Sequence, residues 1–168
     1  MNGNHPPPPA ISRRDYEQHA SEISLHMSHF FVEYLKDIYR LFDGDLALVI
    51  VIAEVAHHNL STHFSGESGL AENAASRFRE DPGFRQKLNA CNAYSLAAAT
   101  GLPRETIRRK ILHAEKLGWL ERHGRRELLI TPKLAEHFLP DFNLNLVRSL
   151  LATAHRITRV LESPPGKP

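Results

Sequence analysis

The sequence has few of the features typical of secreted, membrane-spanning or disulfide-stabilised proteins. It contains one cysteine, Cys91, in 168 residues, so it cannot form an intramolecular disulfide. Its most apolar run, residues 46–56, is too short to span a bilayer and includes Glu54, which favours a buried helix. No apolar segment of the kind found in signal peptides lies near the N-terminus. We therefore expect a soluble cytoplasmic protein without membrane contact, with Cys91 as a partly buried apolar residue.

Sequence motifs for catalysis and for cofactor binding are also missing. The chain has no GxGxxG motif, no Walker A loop, no nucleophile elbow, and neither CxxC nor HExxH spacing. Of the eleven histidines, three lie with two glutamates on one face of the first predicted helix, and three lie at the end of the second. A solvated face and a helix C-terminus account for these two groups. We predict that the protein is not an enzyme, with no catalytic residues, no cofactor and no metal site.

The small net charge of +2 conceals two segments of opposite charge. Residues 15–63 contain eight acidic side chains against two basic ones, whereas residues 95–133 contain nine basic side chains against four acidic ones. A positive segment in a nearly neutral protein predicts a polyanionic partner for that segment alone. An ordinary solvated face remains the alternative interpretation of the same charges.

Breaker residues and hydrophobic periodicity divide the chain into six segments. These are a disordered proline-rich tail at 1–14, N-terminal helices for the core and for dimerisation at 15–63, an irregular connection at 64–92, a basic segment at 93–132, C-terminal helices at 133–162 and a tail at 163–168. In the connection, Pro82-Gly83 separates two short helical pieces around 70–80 and 84–90. A connection of this length is either functional or poorly ordered.

Apolar residues at three- and four-residue steps predict four helices outside the basic segment. Their ranges are 15–42, 46–58, 132–138 and 144–161. Gly44 is expected to end the first helix and Asp45 to cap the second, which is apolar nearly all round and therefore central. Thr131 is expected to cap the third helix and Pro140 to stop it. The last helix has a broad apolar stripe.

The basic segment combines a short helix, a glycine turn, a longer cationic helix and a hairpin. Ser95 is expected to cap a helix over 96–100, and Gly101 to form a turn at positive φ. A second helix over 103–117 follows, ended by Gly118, and a hairpin over 119–131 turns at Gly124. The inner face of the second helix is formed by Ile107, Ile111 and Ala114. This order predicts a mainly α fold with a winged helix-turn-helix, a small β-hairpin wing, and long N- and C-terminal helices.

Over residues 95–132 the chain, "SLAAATGLPRETIRRKILHAEKLGWLERHGRRELLITP", resembles the winged-helix domain of bacterial transcriptional regulators of the MarR, IclR and GntR types. The order of the helices resembles the MarR arrangement, although the wing is shorter and the connection at 64–92 longer. The resemblance implies a regulator that binds double-stranded DNA sequence-specifically, with the helix 103–117 in the major groove. The wing, 119–131, then lies on the adjacent backbone or minor groove. Any small-molecule effector is unknown.

The side chains expected to touch DNA point outward from the second helix or lie at the hairpin tip. They are Arg104, Glu105, Thr106, Arg108, Arg109, His113, Arg125 and Arg126. Arg108 and Arg109 either read bases or hold phosphates. Glu105 either accepts a hydrogen bond from a cytosine amino group or favours the positive end of the helix.

Two further expectations concern partners. The apolar stripes of the first and last helices predict a homodimer, and the residues concerned are Phe30, Phe31, Tyr34, Ile38, Val147, Leu150, Leu151, Ala154 and Ile157. The alternative function is a winged-helix module for protein interaction or assembly without sequence readout. Exposed cations on the second helix favour DNA, because an interaction module tends to expose an apolar or acidic face there.

Overall fold

The fold is mainly helical with a small antiparallel sheet, as the sequence predicts. A computed structural model describes residues 11–64, 78, 83, 87–124 and 126–163. The elements in chain order are helices α1 (Arg13–Leu41), α2 (Leu46–Phe64), α3 (Ala93–Thr100) and α4 (Arg104–Leu117), strands β1 (Leu120–His123) and β2 (Glu127–Ile130), helix α5 (Pro132–Phe138), a π-helical turn (Leu139–Asn143) and helix α6 (Leu144–Glu162).

The chain forms two compact units. One, the terminal unit, consists of Met1–Lys36 and Leu144–Pro168, and the other, the central unit, consists of Asp37–Asn143. In the described part of the terminal unit, His19 and Ile23 of α1 and Thr153 and Val160 of α6 are the buried residues. The central unit contains the remaining buried side chains, and with them the basic segment.

Helix α2 forms the centre of the central unit because it is apolar on nearly every side. Leu48, Val51 and Val55 are buried, and the helix packs against α3, α4 and β2. The predicted core helix is therefore confirmed. The helix ends at Phe64 and not, as the sequence predicts, at residue 58. The predicted helix stops early because Asn59 places a polar side chain at the next core position and so interrupts the apolar pattern.

Asn59 joins α2 to the hairpin through its side-chain amide. Its Nδ2 donates to the carbonyl oxygens of Asn89, at 2.8 Å, and of Leu128, at 3.2 Å. Its Oδ1 accepts a hydrogen bond from the backbone N–H of Ile130 at 2.8 Å. The side chain is fully buried. Each donor and acceptor of the amide is used, so the polar group is accommodated in the core while fixing β2 beside α2.

The hairpin pairs β1 with β2 in register from Leu120 opposite Ile130 to His123 opposite Glu127. Gly124 lies in the connecting turn with φ 65°, as the sequence predicts. Cys91 extends the sheet on its other side, since Leu128 donates its N–H to the Cys91 carbonyl at 2.8 Å. Burial raises the pKa of the Cys91 thiol to about 11. The thiol is thus protonated near neutral pH, consistent with an apolar structural role.

The predicted cap of α3 is wrong by three residues. Asn92, not Ser95, caps the helix: the Asn92 side chain accepts hydrogen bonds from the backbone N–H groups of Tyr94 and Ser95, both at 3.0 Å. Ser95 completes a capping box, because its hydroxyl accepts from the Asn92 N–H. Ser95 is a good cap in isolation, but Asn92 lies where the chain leaves the bridge at Cys91, and the helix begins there.

Three further expected boundaries differ in detail. Pro103 precedes α4 as its N-terminal cap residue instead of lying inside the first turn. Thr131 directly precedes α5, as predicted, and its carbonyl oxygen accepts from the Leu134 N–H at 3.1 Å. Its side chain does not cap the helix, because the hydroxyl donates to the Gly118 carbonyl oxygen at 2.5 Å. Pro140 does not separate two helices by a loop, since the chain continues from α5 through the π-helical turn into α6.

Some predicted features lie outside the described residues. These are most of both tails, most of the helical pieces around 70–80 and 84–90, and Arg125. Of the described residues in the connection, Phe78 and Leu88 are buried. Both therefore contribute to the core of the central unit.

Gly101 ends α3 in the left-handed region, with φ 70°, and its N–H donates to the Ala97 carbonyl at 3.1 Å. A Cβ placed there meets no atom within 4 Å, so a side chain has room and only the backbone conformation opposes it. We expect Gly101→Val to cost ~2 kcal/mol, or roughly 4–8 °C in melting temperature. Gly101→Asn is the control, because asparagine tolerates this conformation and should melt close to the parent. Equal melting of the valine variant and the parent would contradict the strained turn.

Candidate nucleic-acid interface

Helices α3 and α4 meet at the Gly101 turn, and both pack on α2. Ile107, Ile111 and Ala114 of α4 are buried, so the predicted inner face is confirmed. Gly118 ends α4 with φ 74°, and the chain then enters the hairpin. These contacts fix one face of α4 in the core and leave the opposite face in solvent.

The outer face of α4 is exposed and cationic. Arg104, Glu105, Arg108, Arg109 and His113 are exposed, and Thr106 is half-buried. Two further side chains on this face were absent from the predicted set, namely Lys116 and Leu112, which is 38% exposed. Leu112 follows Arg109 by three residues and Lys116 follows it by seven. These spacings would have identified both side chains, because such steps return to the same helix face.

Glu105 and Arg108 form a bidentate ion pair on the outer face. The Arg108 Nε donates to Glu105 Oε2 at 2.8 Å, and its Nη2 donates to Oε1 at 2.7 Å. The hydrogen bonds from Arg108 hold the pKa of the Glu105 carboxyl below its ordinary value. Glu105 is therefore ionised at neutral pH and paired within its own helix. Neither interpretation of Glu105 offered by the sequence included this partner.

Arg104 stacks on an exposed aromatic ring that the sequence analysis missed. Its guanidinium carbon lies 5.0 Å from the ring centre of Tyr94, a cation–π distance. Tyr94 is on α3 and 69% exposed. The pair lies where the N-terminal turns of α3 and α4 reach the surface. The sequence could have revealed this pair if the start of α3 had been placed at Asn92. Tyr94 would then lie in the first helical turn of α3, and Arg104 at the start of α4.

Lys110 and His113 lie beside Asp45 at the start of α2. Lys110 Nζ is 2.6 Å from Asp45 Oδ2, and His113 Nδ1 is 3.6 Å from the same oxygen. Burial raises the pKa of Asp45, but the hydrogen bonds from Lys110 and the Leu48 N–H and the nearby positive charge outweigh it and lower that pKa. As predicted, Asp45 also caps α2, accepting from the Leu48 N–H at 3.0 Å. Lys110 therefore fixes α4 to α2, and His113 marks the edge of the outer face.

A second ion pair joins β1, near the turn of the hairpin, to α4. The Nε of Arg122, on β1, lies 2.7 Å from Oε1 of Glu115. At the tip, Arg126 is exposed next to Glu127, whereas Arg125 lies outside the described residues. Because β1 is held against α4, the tip residues extend from the same rigid group as the outer face of α4.

Three cations of this surface have no hydrogen-bond or ion-pair partner within the described ranges. They are Arg109, Lys116 and Arg126. Together with Arg104 they form what we call the free cationic surface. Guanidinium and ammonium groups attract polyanions, and the N–H donors of these three side chains are not used by any hydrogen bond within the described ranges.

Two other kinds of site are absent from the described residues. No helix there is long and apolar enough to cross a bilayer. No group of three or more histidine, cysteine, aspartate or glutamate side chains is arranged there to hold a metal ion.

Comparisons of the chain with protein-family models, with curated proteins and with solved structures find no match. Its function must therefore be inferred from its own residues.

Proposed function

We propose that this protein is a winged helix-turn-helix transcriptional regulator of the bacterial type, which binds double-stranded DNA sequence-specifically. The observation that supports this most directly is the asymmetry of α4. One face is locked in the core through Ile107, Ile111 and Ala114, while the other presents the α4 part of the free cationic surface to solvent. Helix α4 is the recognition helix of this proposal.

The dimensions of α4 suit the major groove. Its 14 residues extend over roughly 21 Å, and a B-DNA major groove of about 12 Å width admits one α-helix. Its outer face offers cations for phosphates, while Thr106 and Leu112 offer a polar and an apolar contact to base edges. Leu112 is suited to a thymine methyl group, which is the apolar feature of that groove.

The hairpin is suited to the role of a wing. Its two strands place Arg126 at the tip, and the ion pair between Arg122 and Glu115 holds the hairpin to α4. In the proposed complex the tip lies over the adjacent backbone or minor groove, where a cation binds phosphate without reading sequence.

A protein-interaction or assembly module is the competing proposal. Its partner would need an acidic surface, because the outer face of α4 has only Leu112 as a large exposed apolar side chain. Double-stranded DNA meets the same need with a regular array of phosphates. The charge of the outer face therefore favours DNA over a protein partner that binds by apolar contact.

Binding to random duplex DNA as a function of salt concentration tests the proposal. Four to six phosphate contacts per bound subunit predict a slope of log affinity against log salt of roughly −4 to −5 for each subunit on the DNA. Fluorescence anisotropy with a labelled random duplex between about 50 and 200 mM salt gives this slope. Absence of binding at the lowest salt, or a slope near zero, would contradict DNA binding and favour the interaction module.

We further propose that the protein is a homodimer, formed through the terminal unit. Leu144, Val147, Leu150 and Leu151 form an apolar face on α6 that is between 46% and 64% exposed. On α1, Phe31 and Leu35 are likewise exposed one turn apart. Apolar faces of this kind typically mark an interface, and a second copy of the chain presents a matching one. Ile38, also expected at the interface, is buried in the central unit and is not available.

Leu150→Glu combined with Leu151→Glu is expected to produce monomers, because four carboxylates per dimer would be buried in the proposed interface. Sedimentation at micromolar concentration measures the change. Affinity for DNA should fall by at least about tenfold, since only one half-site is bound at a time. Asn145→Glu combined with Ala152→Glu is the control, because it adds the same charge on another exposed face of α6. A monomeric parent, or an unchanged dimer in the leucine variant, would contradict the proposal.

A further inference from the structure

The ion pair between Glu105 and Arg108 differs from the other ion pairs of α4. The pairs of Lys110 with Asp45 and of Arg122 with Glu115 join separate elements, and their carboxylates are only 20% and 22% exposed. Glu105 and Arg108 belong to the first turns of one helix, and their side chains are 63% and 61% exposed. An exposed pair within one helix contributes little to stability. Its position and geometry therefore suggest another role.

The hydrogen bonds of this pair leave one edge of the guanidinium unused. A guanidinium has two edges that each present two parallel N–H groups. Glu105 occupies the edge formed by Nε and Nη2. The other edge, formed by Nη1 and the second hydrogen of Nη2, has no partner in the described part of the chain. The carboxylate thus holds the arginine in a fixed orientation with a complete donor pair available.

We propose that Arg108 reads a guanine through this free edge and that Glu105 is the residue that positions it. The proposal rests on the function proposed above. Guanine presents two acceptors, O6 and N7, to the major groove, and two parallel N–H donors match them. Arg108 lies in the N-terminal half of α4, the part of a recognition helix that contacts base edges.

Positioning by Glu105 increases the discrimination that Arg108 provides. A free arginine side chain loses rotamer freedom when it binds a base, and a side chain already held in place loses less. The negative charge of Glu105 also opposes binding of Arg108 to a phosphate, because the carboxylate would approach the same anion. Arg109 has no such partner and is assigned to phosphate contact. The neighbouring arginines, which the sequence alone did not distinguish, thus take different roles.

The test uses the full-length protein and a duplex selected by it from a random pool. Every base pair of that duplex is then replaced in turn, and the affinity of each replacement is measured. Arg108→Ala and Arg108→Lys are expected to lower the preference for one guanine by roughly tenfold to a hundredfold. Lysine fails along with alanine because an ammonium group has no parallel donor pair.

Glu105→Gln distinguishes positioning from direct readout. It is expected to lower the preference at the same guanine by about three- to tenfold, and to add little when Arg108 is already alanine. Affinity for random duplex should rise slightly, because one negative charge is removed. Asp37→Asn is the control: it breaks an exposed Asp–Arg pair on α1, with Arg40 at 3.1 Å, and should leave the guanine preference unchanged.

The outcomes separate this proposal from the proposed function. A Glu105→Gln variant with the parent's guanine preference, or with a changed preference at a different base pair, would overturn the positioning role. An Arg108→Ala variant that keeps the guanine preference would overturn the readout. In each case the parent still selects a duplex, so DNA binding stands. A parent that selects no duplex would instead remove the proposed function, and the guanine assignment with it.

Discussion

Replacing Asn59 with alanine is expected to lower the free energy of unfolding by about 3 kcal/mol or more. The buried Ile130 N–H loses its acceptor, the part-buried Asn89 carbonyl loses a donor, and the Leu128 carbonyl keeps only the N–H of Cys91, at 3.4 Å. Each unsatisfied buried backbone group costs about 1–3 kcal/mol. For a chain of 168 residues, the melting temperature should fall by on the order of 10 °C.

Asn89→Ala is the matched control for this variant. The Asn89 side chain is exposed, and its amide nitrogen lies 3.4 Å from the Ser61 hydroxyl, which is a weak hydrogen bond. Its removal should shift the melting temperature by no more than about 2 °C. Thermal unfolding followed by circular dichroism compares the two variants. Equal melting temperatures for the parent and Asn59→Ala would mean that Asn59 does not hold the hairpin to α2.

Arg109→Glu is expected to weaken binding to any duplex by roughly a hundredfold or more. Arg109 has no internal partner in the described residues and lies at the centre of the outer face of α4. The substitution removes a phosphate contact and places a carboxylate against the DNA backbone, where like charges repel. The slope of log affinity against log salt should flatten by about one to two units.

Arg148→Glu is the charge-matched control for Arg109→Glu. Arg148 is exposed on α6, and its replacement changes the net charge by the same amount. Anisotropy titrations of both variants separate local contact from overall charge. An equal loss in both would indicate a nonspecific effect of net charge, and no loss in Arg109→Glu would contradict placement of α4 in the groove.

The local features of the fold could be predicted because single residues determine them. Gly101 and Gly118 adopt positive φ at the predicted turns, since only glycine takes that conformation without strain. Ile107 and Ile111 are buried at helical spacing, and Pro132 begins α5. In each case the information lies within a few residues of the feature.

Features that depend on distant residues could not be predicted. Asn59 is buried only because the hairpin, about seventy residues later in sequence, supplies backbone partners. Lys110 was counted with the basic residues, yet it pairs with Asp45, which is 65 residues away. Neither partner is evident from composition or periodicity, because both pairs exist only after α2 has packed against the basic segment.

The candidate site was predictable as a surface but not as a set of contacts. The six side chains expected on α4 lie wholly or partly in solvent, because the apolar spacing fixes which face is inward. Pairing within that surface was not evident: Glu105 holds Arg108, and Tyr94 supports Arg104. Contact of these residues with DNA remains a prediction.

The ratio of affinities for a selected duplex and a random duplex tests the central proposal most directly. The parent protein is used to enrich sequences from a random pool, and both affinities are then measured by anisotropy at physiological salt. Sequence-specific regulators bind their sites at least about a thousandfold more tightly than random DNA, and we expect a ratio of that size. Equal affinities, or a pool from which no sequence is enriched, would contradict the assignment of this protein as a sequence-specific regulator.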